Sequence, residues 1–212
     1  MRLRAPLAIA ATLLLPAAAA GQTWRIGAAL GFAYNVPVPL VIRQRGEPPI
    51  RTTARFATRA FQRPLYYLVR AERLDGDHGW GMEWIHHKLF LRNRPAEVQR
   101  FDISHGFNVV TLLYSRVDGL AEARLGAGVV ISHPENTVRG RELPETSGSF
   151  GGYHLSGPAA QVGWGRLAGA GQGTAFAELK AVGAWARVPV QGGGARFWHA
   201  SAHAAAGPSG SF

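Results

Sequence analysis

The chain has 212 residues, 47% of them hydrophobic and 17% charged, enough for one domain with a core and too few for two of ordinary size. It contains no cysteine, which excludes disulfide bridges, thiolate metal sites and a cysteine nucleophile. A formal charge of +10, carried almost wholly by arginine, calls for an anionic partner: nucleic acid, a phosphate-rich membrane surface or an acidic ligand.

The N-terminus chooses among these. Arg2 and Arg4 precede an apolar run from Ala5 to Leu15, followed by Pro16 and the small residues Ala17 to Ala20, the pattern of a secretory signal peptide. Residues 1–20 are therefore read as a signal peptide and 21–212 as an exported chain beginning at Gly21 or Gln22. Export removes nucleic acid from the partners. No later apolar run approaches the roughly 18–20 residues of a membrane helix.

The next segment, "TWRIGAALGFAY", alternates without a break. Trp24, Ile26, Ala28, Leu30, Phe32 and Tyr34 share one face; Arg25, Gly27, Ala29, Gly31 and Ala33 share the other. Period two predicts a strand. Aromatics at its ends, aliphatics between them and small or charged residues opposite suit a strand of a membrane barrel, with aromatic girdles at both interfaces. Residues 35–63 form a long arginine-rich loop, with room for a hairpin ("LVIRQRGEPPIRTTARF") projecting from the rim.

Further strands follow in pairs joined by turn signals: 64–74 and 80–91 across "DGDHG", 101–117 and 121–132 across "DGLAE", 153–166 and 176–188 across "AGAGQG", then 196–212. Between the pairs lie longer loops at 92–100, 133–152 and 189–195. The expected fold class is all-β: a single up-and-down antiparallel transmembrane barrel of about eight strands with a filled lumen. A soluble periplasmic lipid-binding barrel or sandwich fits the signal peptide and strand number equally well. Pro208 marks the last strand as irregular.

Alternation assigns the faces. Leu65, Tyr67 and Val69 face out, turning Arg70 and Glu72 inward; Trp80, Met82 and Trp84 face out, turning Glu83 and His87 inward. Leu125, Ala127, Val129 and Ile131 face out with Arg124 inward, and Ala177, Leu179, Ala181 and Trp185 face out with Glu178 and Lys180 inward. In the last strand Trp198 and the alanines face out, while His199, Ser201 and His203 face in. The lumenal network is thus Arg70, Glu72, Glu83, His87, Arg124, Glu178, Lys180 and His203, with acids and bases that must pair once out of water.

His86 and His87 are strand neighbours, so they point to opposite sides and cannot serve one site. His87 faces the lumen with Glu83, and His86 belongs to the outer interface. "HASAH" aligns His199, Ser201 and His203, residue types for a nucleophile and base. As metal ligands the two histidines stand roughly 13 Å apart along a strand at about 3.3 Å per residue, so no metal is expected. The candidate catalytic residues are His199, Ser201, His87 and Glu83. "DISHGFN" puts Asp102, Ser104 and Asn108 on one face and His105 on the other, and reads as a polar strand end leaving the membrane.

Arginines crowd the presumed outer end, among them Arg43, Arg45, Arg51, Arg55, Arg92, Arg94, Arg139 and Arg141, whereas Asp75, Asp77, Asp118 and Glu122 occupy the opposite turns. Guanidinium groups bind phosphate through paired hydrogen bonds, so lipopolysaccharide is the expected partner. No cofactor is expected.

As a whole the exported chain resembles small Gram-negative outer-membrane β-barrels, distantly those of OmpA and OmpX type, and "HHKLFLRNRP", "ISHGFN" and "YHLSGPAAQ" resemble segments of an outer-membrane group without an assigned reaction. The terminal Phe212 is similar to the aromatic by which the barrel-insertion machinery recognises its clients. The resemblance implies an outer-membrane location and a structural or lipopolysaccharide-interacting role. "HAS" at 199–201 is also similar to the His-x-Ser pair of lipid A 3-O-deacylases, which implies a lipid A acyl hydrolase or acyltransferase as the alternative; Ala202 and His203 depart from that pattern.

Overall fold

A computed structural model describes residues 22–147, 151–169 and 173–212 of the chain. The signal peptide expected at 1–20 lies outside the described residues. Thirteen strands are described: β1 (Gln22–Asn35), β2 (Val38–Gln44), β3 (Ile50–Ala54), β4 (Phe56–Ala57), β5 (Tyr67–Asp75), β6 (His78–Leu91), β7 (Val98–Asp118), β8 (Ala121–Ser132), β9 (Glu135–Val138), β10 (Arg141–Glu142), β11 (His154–Ala168), β12 (Gly173–Val190) and β13 (Gly193–Ser211).

Every pairing is antiparallel. β1 pairs with β5, β5 with β6, β6 with β7, β7 with β8, β8 with β11, β11 with β12, β12 with β13, and β13 with β1 again. These long strands therefore have a partner on both sides, in the up-and-down order the alternating segments predict. Two-residue turns join β5 to β6 and β7 to β8, where Asp75 pairs with His78 and Asp118 with Ala121. At the same end Trp24 and Phe212 exchange both backbone hydrogen bonds, each at 2.9 Å.

The last strand is more regular than expected. β13 runs unbroken through Pro208, which sits opposite Ala175 of β12. The proline, lacking an N–H, coincides with a gap in the β1 ladder between Gly27↔Ser209 and Leu30↔Ala206.

The other correction concerns the loops. Residues 189–195 are not a loop, because β12 and β13 meet across a turn of Gln191 and Gly192. The hairpin of β2 and β3 does not simply project from the rim: β2 pairs with β13 and extends the sheet upward. Likewise β9 pairs with the outer part of β7 and β4 with the end of β6. These short strands turn Leu40, Ile42, Phe56 and Val138 inward, onto Phe101, Phe107 and Phe197. Burying aromatics of this size is a large stabilising contribution, so the outer end has an apolar core of its own.

Candidate functional site

The faces follow the predicted parity. In β1, Arg25, Gly27, Ala29 and Gly31 are buried and Ile26, Leu30, Phe32 and Tyr34 exposed. Trp80, Met82, Leu112, Leu125, Trp164 and Leu179 are each more than half exposed, as is Trp198. Such a continuous apolar exterior far exceeds what a water-facing surface carries. Aromatics gather at its two edges. Trp80 packs on Tyr114 at 5.1 Å near the short turns, and Trp185 on Trp198 at 5.0 Å toward the other end. His86 joins the second edge, stacked on Tyr67 at 4.8 Å and hydrogen-bonded to Asn108, which also accepts from Trp84.

The interior changes character along its axis. Nearest the short turns it is ionic. Glu72 contacts Arg25 (3.1 Å), Arg70 (3.4 Å) and Arg124 (3.3 Å), and accepts from Ser115. Arg70 reaches Glu83 at 3.0 Å and Glu178 at 2.8 Å, while Lys180 pairs with both acids. Glu122, expected in a turn, is instead buried between Arg25 and Arg124. The "DGLAE" signal ends at Leu120, so the second residue of β8 already points inward. With Arg25 and Glu122 added, four acids face four bases and the buried charge cancels, as desolvation requires.

Above the charges lies a layer of imidazoles and hydroxyls. Ser201 Oγ sits 2.9 Å from His199 Nε2 and 2.7 Å from His203 Nε2, and Tyr66 Oη lies 2.9 Å from His203 Nδ1. A relay in which Tyr66 donates to His203, His203 to Ser201 and Ser201 to His199 satisfies these groups. The side chains lean together, so both imidazoles meet one hydroxyl although their backbones are well separated. The His87 ring lies 5.3 Å from that of His199 and 5.1 Å from that of His203. His87 Nε2 bonds Thr58 at 3.2 Å. Glu83 is occupied by Arg70 and Lys180. Of the catalytic candidates, then, His87, His199 and Ser201 converge and Glu83 belongs to the ionic layer. All are buried; Ser201 is 4% exposed and His199 2%.

At the outer end Arg43, Arg45, Arg51, Arg55, Arg92, Arg94 and Arg141 are exposed, and Arg139 is half-buried, bonded to Gln44 and to the Pro48 carbonyl. Arg141 pairs with Glu47 at 2.8 Å. Arg187 and Arg196 add a feature that parity alone does not reveal. They face each other across β12 and β13, one step beyond the Trp185↔Trp198 pair on the same outward face. Arg43 lies diagonally from Arg196 on β2, and the three line a cavity of about 290 Å³ floored by Pro189, Gly193 and Gly194. Among the described residues none of these three guanidinium groups has an acidic partner. Like charges directly opposite in a sheet repel, by roughly 0.2–1 kcal/mol.

A second cluster escaped the sequence reading. β7 leaves β8 at Gly106, whose φ of 124° suits only glycine, and turns to pair with β9, setting Asp102 opposite Glu135. That bend carries His105 to Glu135, with Nδ1 2.5 Å from Oε1, and edge-on to His133, ring centres 5.0 Å apart. Burial raises the Glu135 carboxyl, but hydrogen bonds from Ser104 and His105 and the charge of Arg100 outweigh it and hold it below the usual range.

No protein-family model matches the chain, and no curated protein matches it. Among the solved structures to which the chain is similar, two cover most of its length. One is Ail, the attachment invasion locus protein of Yersinia pestis, at 10% identity, covering 89% of this chain and 98% of that one with a TM-score of 0.39. The other is the outer membrane protein OprG from Pseudomonas aeruginosa, at 11% identity, covering 90% and 95% with a TM-score of 0.40.

Proposed function

We propose that the protein is a non-enzymatic outer-membrane β-barrel that binds lipopolysaccharide phosphates through arginines at its outer rim. Its eight long strands close on themselves and cross the bilayer. Three features support this. The apolar exterior is flanked by aromatic girdles, and the eleven residues from Trp24 to Tyr34 cover roughly 33 Å of strand, close to a 25 Å band once tilted. Among the described residues the lumen is plugged by paired charges, which suits a structural wall. Phe212 exchanges backbone hydrogen bonds with Trp24, which joins β13 to β1 at the end of the short turns.

The observation that carries the ligand reading is the Arg43–Arg187–Arg196 cradle. Three converging cations with no acid among the described residues gain most from a multivalent anion, and guanidinium forks match phosphate oxygens. The cradle sits one step above the Trp185↔Trp198 pair, the depth of lipid headgroups. The test compares binding of hexa-acylated lipid A and its dephosphorylated form to the refolded protein. The wild type prefers the phosphorylated lipid, and Arg187→Gln/Arg196→Gln loses at least about tenfold, since even one charge-assisted bond at the lower bound of roughly 1.5 kcal/mol is worth that factor. Equal binding of both lipids, or an unaffected double variant, refutes the reading.

The 2.9 Å Ser201–His199 contact favours a second reading, a lipid A acyl hydrolase or acyltransferase. Burial of both groups inside the wall opposes it. Mass spectrometry of lipid A from cells with and without the protein decides: an acyl change abolished by Ser201→Ala establishes the enzyme. A soluble periplasmic lipid carrier is opposed by the apolar belt, and heat-modifiable migration in detergent gels tests that point.

A further inference from the structure

We infer that His105, His133 and Glu135 form a binding site for a first-row divalent cation, Zn²⁺ first among them, on the outer rim. Two imidazoles and one carboxylate are the donor set that borderline cations select over calcium and magnesium. One ligand atom from each residue lies within 4.8 Å of the other two. Tetrahedral zinc with bonds of about 2.0–2.1 Å needs its donors roughly 3.4 Å apart, so the widest separation closes by about 1.4 Å at most while the His105–Glu135 contact opens by about 0.9 Å. His105 can supply that movement, because its side chain is exposed.

The rest of the cluster is held in place. His133 is 5% exposed, the Tyr153 ring packs against it at 4.9 Å, and its backbone N–H bonds the Gly106 carbonyl at 3.0 Å. Gly152, at a φ of 92°, leaves room for the His133 ring that any Cβ would take. Yet His133 Nδ1 is buried with no hydrogen-bond partner among the described residues, a costly state for a ring nitrogen. Arg100 engages Oε2 of Glu135, which orients the carboxylate and leaves Oε1 to Ser104 and His105. The cation replaces the hydrogen bond between His105 Nδ1 and Glu135 Oε1, and any proton it displaces passes to water.

Access is open from outside. A cavity of about 160 Å³ borders His105 and Glu135, and Glu142 and Glu145 on its wall bring further carboxylates for water or direct ligation. The three ligands come from β7, the β8–β9 connection and β9, so a bound ion staples the bend at Gly106 to the strand it pairs with. The site is independent of the arginine cradle, so loss of one leaves the other intact.

The test is calorimetric titration of Zn²⁺ into the untagged, chelator-treated mature protein in detergent, with the absorption spectrum of bound Co²⁺ as second readout. One ion per chain is expected, with His133→Ala and Glu135→Gln each weakening binding at least ~10-fold, the scale that even an outer-shell partner carries. His105→Ala changes only an exposed side chain and guards against misfolding, which gel heat-modifiability reports for all variants. His78→Ala, at the opposite end, leaves binding unchanged. Absence of binding at micromolar Zn²⁺ overturns the site, and so does binding that survives His105→Ala and Glu135→Gln together or is lost in His78→Ala.

Discussion

Glu72 shows how a single residue is fixed by the parity of a strand. It faces the lumen because Val69 and Ala71 face outward, and once there its carboxylate is shared by three guanidinium groups and a hydroxyl. Glu72→Ala strands those cations in a sealed interior, so unfolding in urea is expected to lose about 3–5 kcal/mol. Ser201→Ala is milder: it removes the bridge between two imidazoles, and a loss of about 1–3 kcal/mol is expected from the same measurement. Both positions were legible in the sequence, as were Arg70, Glu83, His87, Arg124, Glu178, Lys180, His199 and His203, because alternation alone sets the side of the sheet. Glu122 was not, since it follows a turn signal by two residues and a one-residue error there reverses the face. The meeting of His105 with Glu135 was invisible for another reason. Thirty positions separate them, and only the pairing of β7 with β9 joins them.

At the scale of elements, the outer end is where reading by composition failed. Prolines and arginines in 35–63 have the look of a loop, yet Val38, Leu40 and Ile42 alternate with Pro39, Val41 and Arg43, and this period places β2 beside β13. Its inward residues share a core with Phe56, Phe101, Phe107 and Phe197. The aromatic contacts are close, 5.4 Å between the rings of Phe56 and Phe197. Phe197→Ala is therefore expected to cost about 3–5 kcal/mol, a core-sized loss outside the bilayer, detectable as a lower urea midpoint. If the hairpin were a loosely attached loop, the same substitution would leave the midpoint nearly unchanged. The long strands were legible because each repeats one pattern for ten residues or more. Of the short ones the hairpin of β2 and β3 was expected, whereas β4, β9 and β10 span only two to four residues and carry no local signal of their own.

For the whole molecule, the apolar belt, the two girdles, the neutralised lumen and the cationic rim describe one object oriented in one way. In the orientation we propose, the belt meets hydrocarbon, the short acidic turns lie on the side where both described ends of the chain meet, and the arginines face outer headgroups. A charge placed in the belt should be penalised by depth: Leu179→Arg is expected to destabilise the bilayer-embedded protein by about 2–4 kcal/mol, the cost near the midplane. The most direct measurement is a spin-label scan of β12 from Ala177 to Val182, which the absence of native cysteine makes unambiguous. Labels at 177, 179 and 181 in reconstituted vesicles are predicted to collide freely with oxygen and hardly with a water-soluble nickel chelate, while those at 178, 180 and 182 meet neither. Odd positions that meet the chelate, or accessibility without a period of two, contradict the account.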